Sequence, residues 1–281
     1  MKIAVASGKG GTGKTTVATN MAYVASCNGR SVAYVDCDVE EPNGHIFLKP
    51  QFDSTAPVGT LIPKVDESKC THCGQCGEIC QYSAIVSAGE TVLIFPELCH
   101  GCGGCSLVCP AEAITEVLHE TGKVQVGSAG PIGFVHGLLN VGQAISPPVI
   151  KAVKTATPLA DVMIVDAPPG TSCPVIESVR GCDFVLLVTE PTPFGLNDLK
   201  LAVEMIRELK LPFGVVINRY DLGDRETLLY CQRKGIGILA EIPDDRSIAE
   251  AYSRGEMICE VLPKYRQVFE SLLGKIESRV S

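Results

Sequence analysis

The sequence predicts an α/β fold with a doubly wound, mostly parallel sheet, and three observations support this prediction. Short apolar runs alternate with segments of helical periodicity, which is typical of a parallel sheet covered by helices. The runs are almost continuously apolar, as strands buried on both faces are. Each run ends in polar or glycine-rich sequence, where the ligands of such sheets bind. The predicted strands are Lys2–Ala6, Ser31–Asp36, Val162–Asp166, Phe184–Thr189 and Phe213–Asn218.

Four segments have the periodicity of helices. One of them begins with Ser146 and Pro147, a capping residue followed by proline at the first helical position. The last one places its apolar residues on a single stripe, which we interpret as a core-facing side; binding to a membrane surface is the alternative. The predicted helices are Lys14–Cys27, Pro147–Thr157, Leu196–Leu209 and Leu262–Ser278.

Composition restricts the possible partners and location. Among the 281 residues no stretch approaches the roughly 18 apolar residues that span a bilayer, and Met1 leads directly into a strand rather than a secretory signal. The net charge of −8 argues against a nucleic-acid partner. We therefore expect a cytoplasmic protein that lacks a stable membrane anchor and does not bind nucleic acid.

A glycine-rich loop follows the first predicted strand directly and precedes the first predicted helix. It matches the phosphate-binding pattern G-x-x-x-x-G-K-[ST], in which backbone N–H groups and the helix N-terminus converge on phosphate oxygens. We expect Lys14 to bridge the β- and γ-phosphates of ATP, Thr15 to bind Mg²⁺, and Thr16 to reach the α-phosphate. The predicted nucleotide-binding residues of this loop are Gly8, Gly10, Gly11, Thr12, Gly13, Lys14, Thr15 and Thr16.

A second lysine, Lys9, lies inside this loop. With it the chain resembles the MinD/ParA/nitrogenase iron-protein class of ATPases. The resemblance implies that Lys9 reaches the phosphates of a neighbouring subunit, and hence that a homodimer, or a dimer with a paralogous ATPase, closes over ATP. A lone exposed lysine is the alternative interpretation.

The resemblance also assigns roles at three other strand ends. Asp36 and Asp38 look like the first switch, in which Asp38 orients the attacking water and Asp36 supports the Mg²⁺ shell. Asp166 to Thr171 resembles the Walker B and second-switch segment, where Asp166 holds a magnesium-bound water and Gly170 approaches the γ-phosphate. Asn218 resembles the residue that reads the adenine base, although asparagine at a strand end also favours a plain turn.

Eight of the 14 cysteines form two runs with the spacing C-x2-C-x2-C-x3-C. This is the bacterial ferredoxin pattern, in which the fourth cysteine of each run ligates the other [4Fe–4S] cluster. A zinc centre is the main alternative, and disulfides fit a cytoplasmic chain less well. We assign one cluster to Cys70, Cys73, Cys76 and Cys109, and the other to Cys99, Cys102, Cys105 and Cys80.

These features together resemble MinD/ParA/Mrp-superfamily P-loop ATPases that contain an inserted ferredoxin domain. The motifs at residues 166–175 and 189–195 also look characteristic of that group. We expect the ATPase domain at residues 1–62 and 119–281, and the ferredoxin insert at residues 63–118. Residues 64–118 contain two Lys and seven Asp or Glu, a net charge of −5, which would suit a basic partner or be an ordinary solvated face.

Three functions fit the sequence. The first is ATP-gated electron transfer to a redox or metal-cofactor partner protein. The second is an iron–sulfur or metal-cofactor carrier of the Mrp/NBP35 type. The third is a ParA/MinD-like positioning or regulatory switch whose clusters sense redox state. Cys173, just after the second switch, is either a ligand of a bridging third cluster or a packed or redox-sensing thiol.

Overall fold

The structure is a computed structural model that describes residues 1–280. Nine strands form one sheet and the other two form a separate hairpin. The strands are β1 (Lys2–Ser7), β2 (Val32–Asp36), β3 (Gln51–Val65), β4 (Ile85–Ala88), β5 (Thr91–Ile94), β6 (Ile114–Ala129), β7 (Ile132–Leu139), β8 (Val162–Pro169), β9 (Phe184–Thr189), β10 (Phe213–Asn218) and β11 (Ile238–Ile242).

Helices connect the strands and cover both faces of the sheet. Among the described residues, none of these helices has the length and apolar content needed to cross a bilayer. The helices are α1 (Lys14–Cys27), α2 (Gly44–Leu48), α3 (Gln75–Ile79), α4 (Gly104–Leu107), α5 (Pro147–Ala156), α6 (Cys173–Val179), α7 (Pro193–Glu208), α8 (Glu226–Arg233), α9 (Arg246–Ser253), α10 (Ile258–Val261) and α11 (Arg266–Val280).

The large sheet has the strand order β11-β10-β9-β1-β8-β2-β7-β6-β3. The pairs from β11 to β7 are all parallel, whereas β6 pairs antiparallel with both β7 and β3. The prediction of a mostly parallel, doubly wound sheet is therefore confirmed. All five predicted strands are present, and β3, β6, β7 and β11 are additional.

The buried strand β1 shows how the two faces of the sheet are filled. Successive side chains of a strand point to opposite faces. Ile3 and Val5 pack into a core that contains residues of α1, α10 and α11. Ala4 and Ala6 pack into a second core that contains residues of α5 to α8. Both faces of the sheet are thus closed by helices.

The C-terminal helix differs from its prediction. The segment Leu262–Ser278 is not one helix, because α10 ends at Val261, a 3₁₀ turn covers Pro263–Tyr265, and α11 starts at Arg266. Leu262 has a ψ of 77°, outside the helical region that a residue before proline tends to avoid. The core-facing stripe is confirmed, since residues of α11 belong to the first core.

The helix predicted at Leu196–Leu209 begins earlier, at Pro193. Its N-cap is Thr192, whose hydroxyl accepts a hydrogen bond of 3.0 Å from the Gly195 N–H. Threonine at the cap and proline at the first helical position together form a start signal, which the prediction from apolar periodicity overlooked.

Strands β3 and β6 form a ribbon that extends beyond the sheet. β6 pairs with β7 from Gly122 to Ala129, and its earlier residues pair with β3 alone, as far as Val65 opposite Ile114. Gly122 lies opposite Leu139, the last residue of β7. Because β7 runs parallel to its neighbour β2, the free part of the ribbon projects from the edge where the parallel strands have their carboxyl ends.

The ribbon carries a small module between residues 66 and 113. It contains α3, α4 and the β4–β5 hairpin. Its own apolar cluster includes Cys76, Ile85 and Ile114, with Val65 and Val92 against them. The chain enters and leaves the module through continuous strands, so the module connects to the sheet without a loop.

Candidate functional site

The glycine-rich loop connects β1 to α1 at the carboxyl edge of the sheet. Gly11 and Gly13 have φ values of 78° and 89°, a left-handed conformation that favours glycine. Gly8 has no room for a side chain, since a Cβ there would lie 2.2 Å from the Asp198 carbonyl oxygen. Lys14 is the first residue of α1 and is buried. The loop thus has the backbone geometry that the phosphate-binding pattern requires.

A pocket of about 340 Å³ opens over this loop. This volume lies within the range usual for small-ligand sites. Eight of the residues predicted to bind nucleotide or water line it. The other six are outside the lining: Gly8, Lys9, Thr12, Asp36, Asp166 and Gly170. The lining residues among those predicted are Gly10, Gly11, Gly13, Lys14, Thr15, Thr16, Asp38 and Asn218.

The far wall of the pocket comes from β11 and the helices that follow it. This wall includes apolar side chains of Ile242, Ile248 and Tyr252, together with the carboxylates of Asp244 and Asp245. None of these residues was predicted from the sequence, because β11 was not predicted. A short apolar run at residues 238–242 that ends in Pro243 is the signal that could have indicated the strand.

Asn218 connects the end of β10 to the phosphate-binding loop. Its Nδ2 donates a hydrogen bond of 3.0 Å to the Thr12 carbonyl oxygen. A Cβ on Gly13 would stand 2.5 Å from that same nitrogen. Asn218 therefore packs tightly against the loop as well as lining the pocket.

Two buried carboxylates lie at neighbouring strand ends. Asp36 and Asp166 are opposite each other in the β2–β8 register, and both are almost fully buried. Burial raises the pKa of each, and their proximity raises that of Asp36 further. The backbone N–H groups of Asp38 and Gly44 donate to Asp36 at 3.1 Å and 2.9 Å. Asp36 thus holds the loop that follows β2.

Asp166 has a different environment. Its Oδ2 accepts a hydrogen bond of 2.8 Å from the Tyr34 hydroxyl, and its buried Oδ1 has no hydrogen-bond partner. The positive charge of Lys14, followed by the Thr15 hydroxyl, opposes the burial that raises the pKa of Asp166. A carboxylate oxygen without a donor, close to a lysine and a threonine, is suited to a hydrated Mg²⁺ ion.

Asp38 lines the pocket on the side of the first predicted switch. Burial raises its pKa to about 6, and the charge of Lys14 opposes this shift. Gly170 lies outside the pocket lining and has a φ of 102°, which only glycine adopts readily. Its N–H donates to the Ser7 carbonyl oxygen at 2.9 Å, so the segment after β8 is tied to the end of β1.

Lys9 forms an ion pair within its own chain. Its Nζ lies 3.7 Å from Oε2 of Glu190, which follows β9. Arg219 binds the other oxygen of that carboxylate at 3.1 Å, and the Glu190 side chain is only 12% exposed. Lys9 is therefore held beside the loop rather than extended into solvent.

The eight cysteines of the module line two separate small cavities. One contains Cys70, Cys73, Cys76 and Cys109 in its lining. The other contains Cys80, Cys99, Cys102 and Cys105. The structure therefore groups the fourth cysteine of each run with the first three of the other run.

The two halves of the module repeat each other. α3 and α4 both begin after a glycine with positive φ, Gly74 at 82° and Gly103 at 71°. The fourth cysteines, Cys80 and Cys109, each accept a hydrogen bond on sulfur from the backbone N–H four residues later, at 3.3 Å and 3.4 Å. Such N–H groups stabilise a thiolate.

The four cysteines of each set line one cavity. Within residues 1–280 no three His, Cys, Asp or Glu side chains stand together as ligands of one metal ion. A single zinc ion requires such convergence. In a [4Fe–4S] cluster the four thiolates bind different irons, so the ligands stand apart. The eight cysteines are therefore compatible with [4Fe–4S] clusters.

Cys173 is exposed at the first position of α6. The other five cysteines outside the module are dispersed over the fold, and four of these are buried. The role of Cys173 therefore stays a prediction.

A glycine-rich loop with a buried lysine at the carboxyl edge of a doubly wound sheet defines a P-loop nucleotide-binding protein. Residues 3–258 match the model of the CobQ/CobB/MinD/ParA nucleotide-binding domain. The chain belongs to this family and has the fold of MinD/ParA-type ATPases.

Comparisons with individual proteins agree with this assignment. An uncharacterised protein of Methanocaldococcus jannaschii is 30% identical over 91% of this chain and 90% of its own length. An iron-sulfur cluster carrier protein of Aquifex aeolicus is 26% identical over 99% of this chain and 69% of its own. The solved structure of the septum site-determining protein MinD of Pyrococcus horikoshii, in complex with Mg-ADP, is similar with a TM-score of 0.60. It is 21% identical, and the match covers 98% of this chain and 95% of that one.

Proposed function

We propose that this protein binds and hydrolyses MgATP and that its nucleotide state controls electron transfer through two [4Fe–4S] clusters. One observation carries the proposal: two four-cysteine cavities stand on a ribbon that projects from the same sheet edge as the nucleotide pocket. In this proposal residues 1–62 and 119–281 are the ATPase domain, and residues 63–118 are an inserted ferredoxin unit.

The nucleotide chemistry would use the residues already described. Lys14 and the loop N–H groups bind the β- and γ-phosphates, and Thr15 with Asp166 holds the Mg²⁺ shell. Asp38, whose carboxylate faces the pocket, orients the attacking water. Gly170 approaches the γ-phosphate and moves when that phosphate leaves.

The module would hold one cluster in each cavity. Cys70, Cys73, Cys76 and Cys109 are the ligands of the first, and Cys99, Cys102, Cys105 and Cys80 are those of the second. When bound, such clusters accept and release single electrons at low potential. Two four-cysteine runs with the ferredoxin spacing favour clusters over the zinc alternative.

A dimer is the second part of the proposal. Lys9 binds the phosphates of ATP in a second copy or in a paralogous ATPase. To do so it must leave Glu190, with which it forms an ion pair in the single chain. Bound nucleotide offers Lys9 a more highly charged partner, so ATP would favour the closed dimer.

Backbone hydrogen bonds connect the first switch to the ribbon. The Cys37 N–H donates to the Asp166 carbonyl oxygen at 2.9 Å. Two residues later, the Val39 carbonyl oxygen accepts from the Leu139 N–H at 2.8 Å, and the adjacent Asn140 N–H donates to the Thr121 carbonyl oxygen at 2.9 Å. Thr121 lies at the base of the free ribbon. A movement of the switch would therefore reach the base of the ribbon through a few direct bonds, and the paired strands continue from there to the module.

The test is the rate of electron delivery by anaerobically purified, dithionite-reduced protein to low-potential acceptor proteins. We expect MgATP to change this rate, and Lys14→Ala to abolish the dependence while leaving the clusters intact. Equal rates with and without MgATP in the wild-type protein would refute nucleotide control.

A second function has one observation in its favour. Relatives that are 26% identical or less bear the name iron-sulfur cluster carrier protein. In a carrier the clusters would be cargo, and ATP would accelerate their release. Rapid, ATP-stimulated loss of iron to an apo-acceptor protein would favour this function, whereas retention of iron through many turnovers would favour electron transfer.

A further inference from the structure

Tyr34 is a buried polar residue that none of the proposed steps uses. It lies in β2, two residues before Asp36, and its ring is fully buried. The ring stacks on Phe134 of β7, with centroids 5.4 Å apart and an angle of 19° between the planes. A phenol hydroxyl in such an apolar core needs a hydrogen-bond partner.

That partner is one oxygen of Asp166. The Tyr34 hydroxyl donates to Oδ2 at 2.8 Å, whereas Oδ1 of the same carboxylate is buried without a partner. A buried acceptor without a donor costs free energy, so a ligand that binds Oδ1 would remove this cost. The hydroxyl thus occupies Oδ2 within the folded protein and leaves Oδ1 free.

The segment after β2 packs closely against the same phenol ring. A Cβ on Gly44 would lie 2.3 Å from Cε1 and 2.6 Å from the hydroxyl oxygen of Tyr34. Only glycine leaves space for the ring at this position. The Gly44 N–H also donates to Asp36 at 2.9 Å. The ring therefore stands between the first-switch loop and the carboxylate of Asp166.

From these contacts we infer that Tyr34 is a positioning residue for Asp166. It holds Oδ2 so that Oδ1 stays available to the Mg²⁺ shell of bound nucleotide. The inference rests on the proposed binding of MgATP at this site. Hydrogen bonds to the outer oxygen of a metal-binding carboxylate generally orient it, and their loss weakens metal binding by about 10-fold to 100-fold.

The test is a Mg²⁺ titration of ATP binding to Tyr34→Phe, measured by equilibrium binding with a fluorescent nucleotide. Phenylalanine retains the ring stacked on Phe134 and removes only the hydroxyl. We expect the Mg²⁺ concentration at half-saturation to rise about 10-fold. Binding of nucleotide in the presence of a chelator should stay within about twofold of wild type, since the loop and Lys14 are untouched.

Tyr230→Phe is the matched control, because Tyr230 is also buried but lies in the second core. It should leave the Mg²⁺ titration unchanged. A wild-type Mg²⁺ midpoint in Tyr34→Phe would overturn the inference, and so would an equal loss of binding with and without Mg²⁺. A wild-type protein that binds no nucleotide at all would instead refute the proposed function, so the two failures are distinguishable.

Discussion

At the scale of single residues, the three aspartates near the phosphate-binding loop have different surroundings. Asp36 is satisfied by backbone N–H groups, Asp166 keeps one oxygen free, and Asp38 faces the pocket. Their positions after strands could be predicted from the sequence. Their separate hydrogen-bond partners could not, because Tyr34 and Gly44 become neighbours of these carboxylates only when the sheet forms.

Lys14→Ala should remove ATP hydrolysis. The buried ammonium group is the charge nearest to the expected phosphates, and loss of one such group typically lowers kcat by about 100-fold or more. Steady-state phosphate release measures the effect. Lys151→Ala, on the exposed side of α5, serves as the control and should keep wild-type turnover.

Glu190→Gln should promote ATP-dependent dimerisation. The neutral amide weakens the ion pair that holds Lys9 in its own chain, so less free energy is needed to release the lysine. Sedimentation velocity with MgATP measures the dimer fraction. Glu226→Gln, which alters an exposed ion pair elsewhere, is the control. A weaker dimer in Glu190→Gln would contradict the assigned role of Lys9.

His136 should make the protein less stable in mild acid. Burial, followed by the charges of His45 and Lys123, lowers its pKa from 6.5 to about 4. As pH falls, His136 takes up a proton in the unfolded chain before it does so in the folded protein. The contribution of neutral His136 to the free energy of unfolding is therefore complete above pH 6.5 and is lost as pH falls toward 4. Between pH 7.5 and 5.5 the loss is about 1.4 kcal/mol. In His136→Phe, the free energy of unfolding measured with urea should lose this part of its dependence on pH.

At the scale of elements, the buried parallel strands were predicted well because each is a continuous apolar run. β3 and β6 were not predicted, since both contain long exposed stretches, residues 51–57 of β3 and 115–118 of β6, and neither is a continuous apolar run. The cysteine spacing predicted which thiols share a cavity, because that pairing depends on a short local turn. The far wall of the nucleotide pocket depends on how α9 packs near β11, which no local pattern encodes.

Gly137 in β7 is where the element packing can be tested. A Cβ there would lie 2.7–2.8 Å from methyl groups of Val39, Val149 and Val153. Gly137→Ala should therefore lower the free energy of unfolding by about 1–3 kcal/mol. Gly274→Ala, in α11 with no atom within 4 Å, should raise it by up to about 1 kcal/mol. Chemical denaturation of both variants measures the contrast.

Crossed ligation in the module gives another prediction. Cys80 shares a cavity with Cys102, although its run also contains Cys73. Cys80→Ala and Cys102→Ala should therefore perturb the same cluster and leave similar residual electron paramagnetic resonance spectra after reduction. Cys73→Ala and Cys109→Ala should give a second, different spectrum. Pairing of the spectra by sequence run instead would show that each run holds its own cluster.

At the scale of the whole molecule, the ribbon brings the cysteine-lined module and the nucleotide pocket to one edge of the sheet. The carboxyl ends of the parallel strands form the nucleotide pocket, and the antiparallel β6 starts from the module and enters the sheet at that edge. The phosphate-binding loop and the two cysteine runs, and their order along the chain, can be read from the sequence. Their shared edge follows from strand directions, which only the assembled sheet defines.

The most direct measurement for the proposed coupling is spectroscopy of the reduced protein, purified without air, before and after addition of MgATP. The account predicts about eight irons per chain, as two cubanes require, and a cluster spectrum or reduction potential that changes with MgATP in the wild type but not in Lys14→Ala. Iron-free protein, or clusters whose spectrum and potential are the same with and without MgATP, would contradict it.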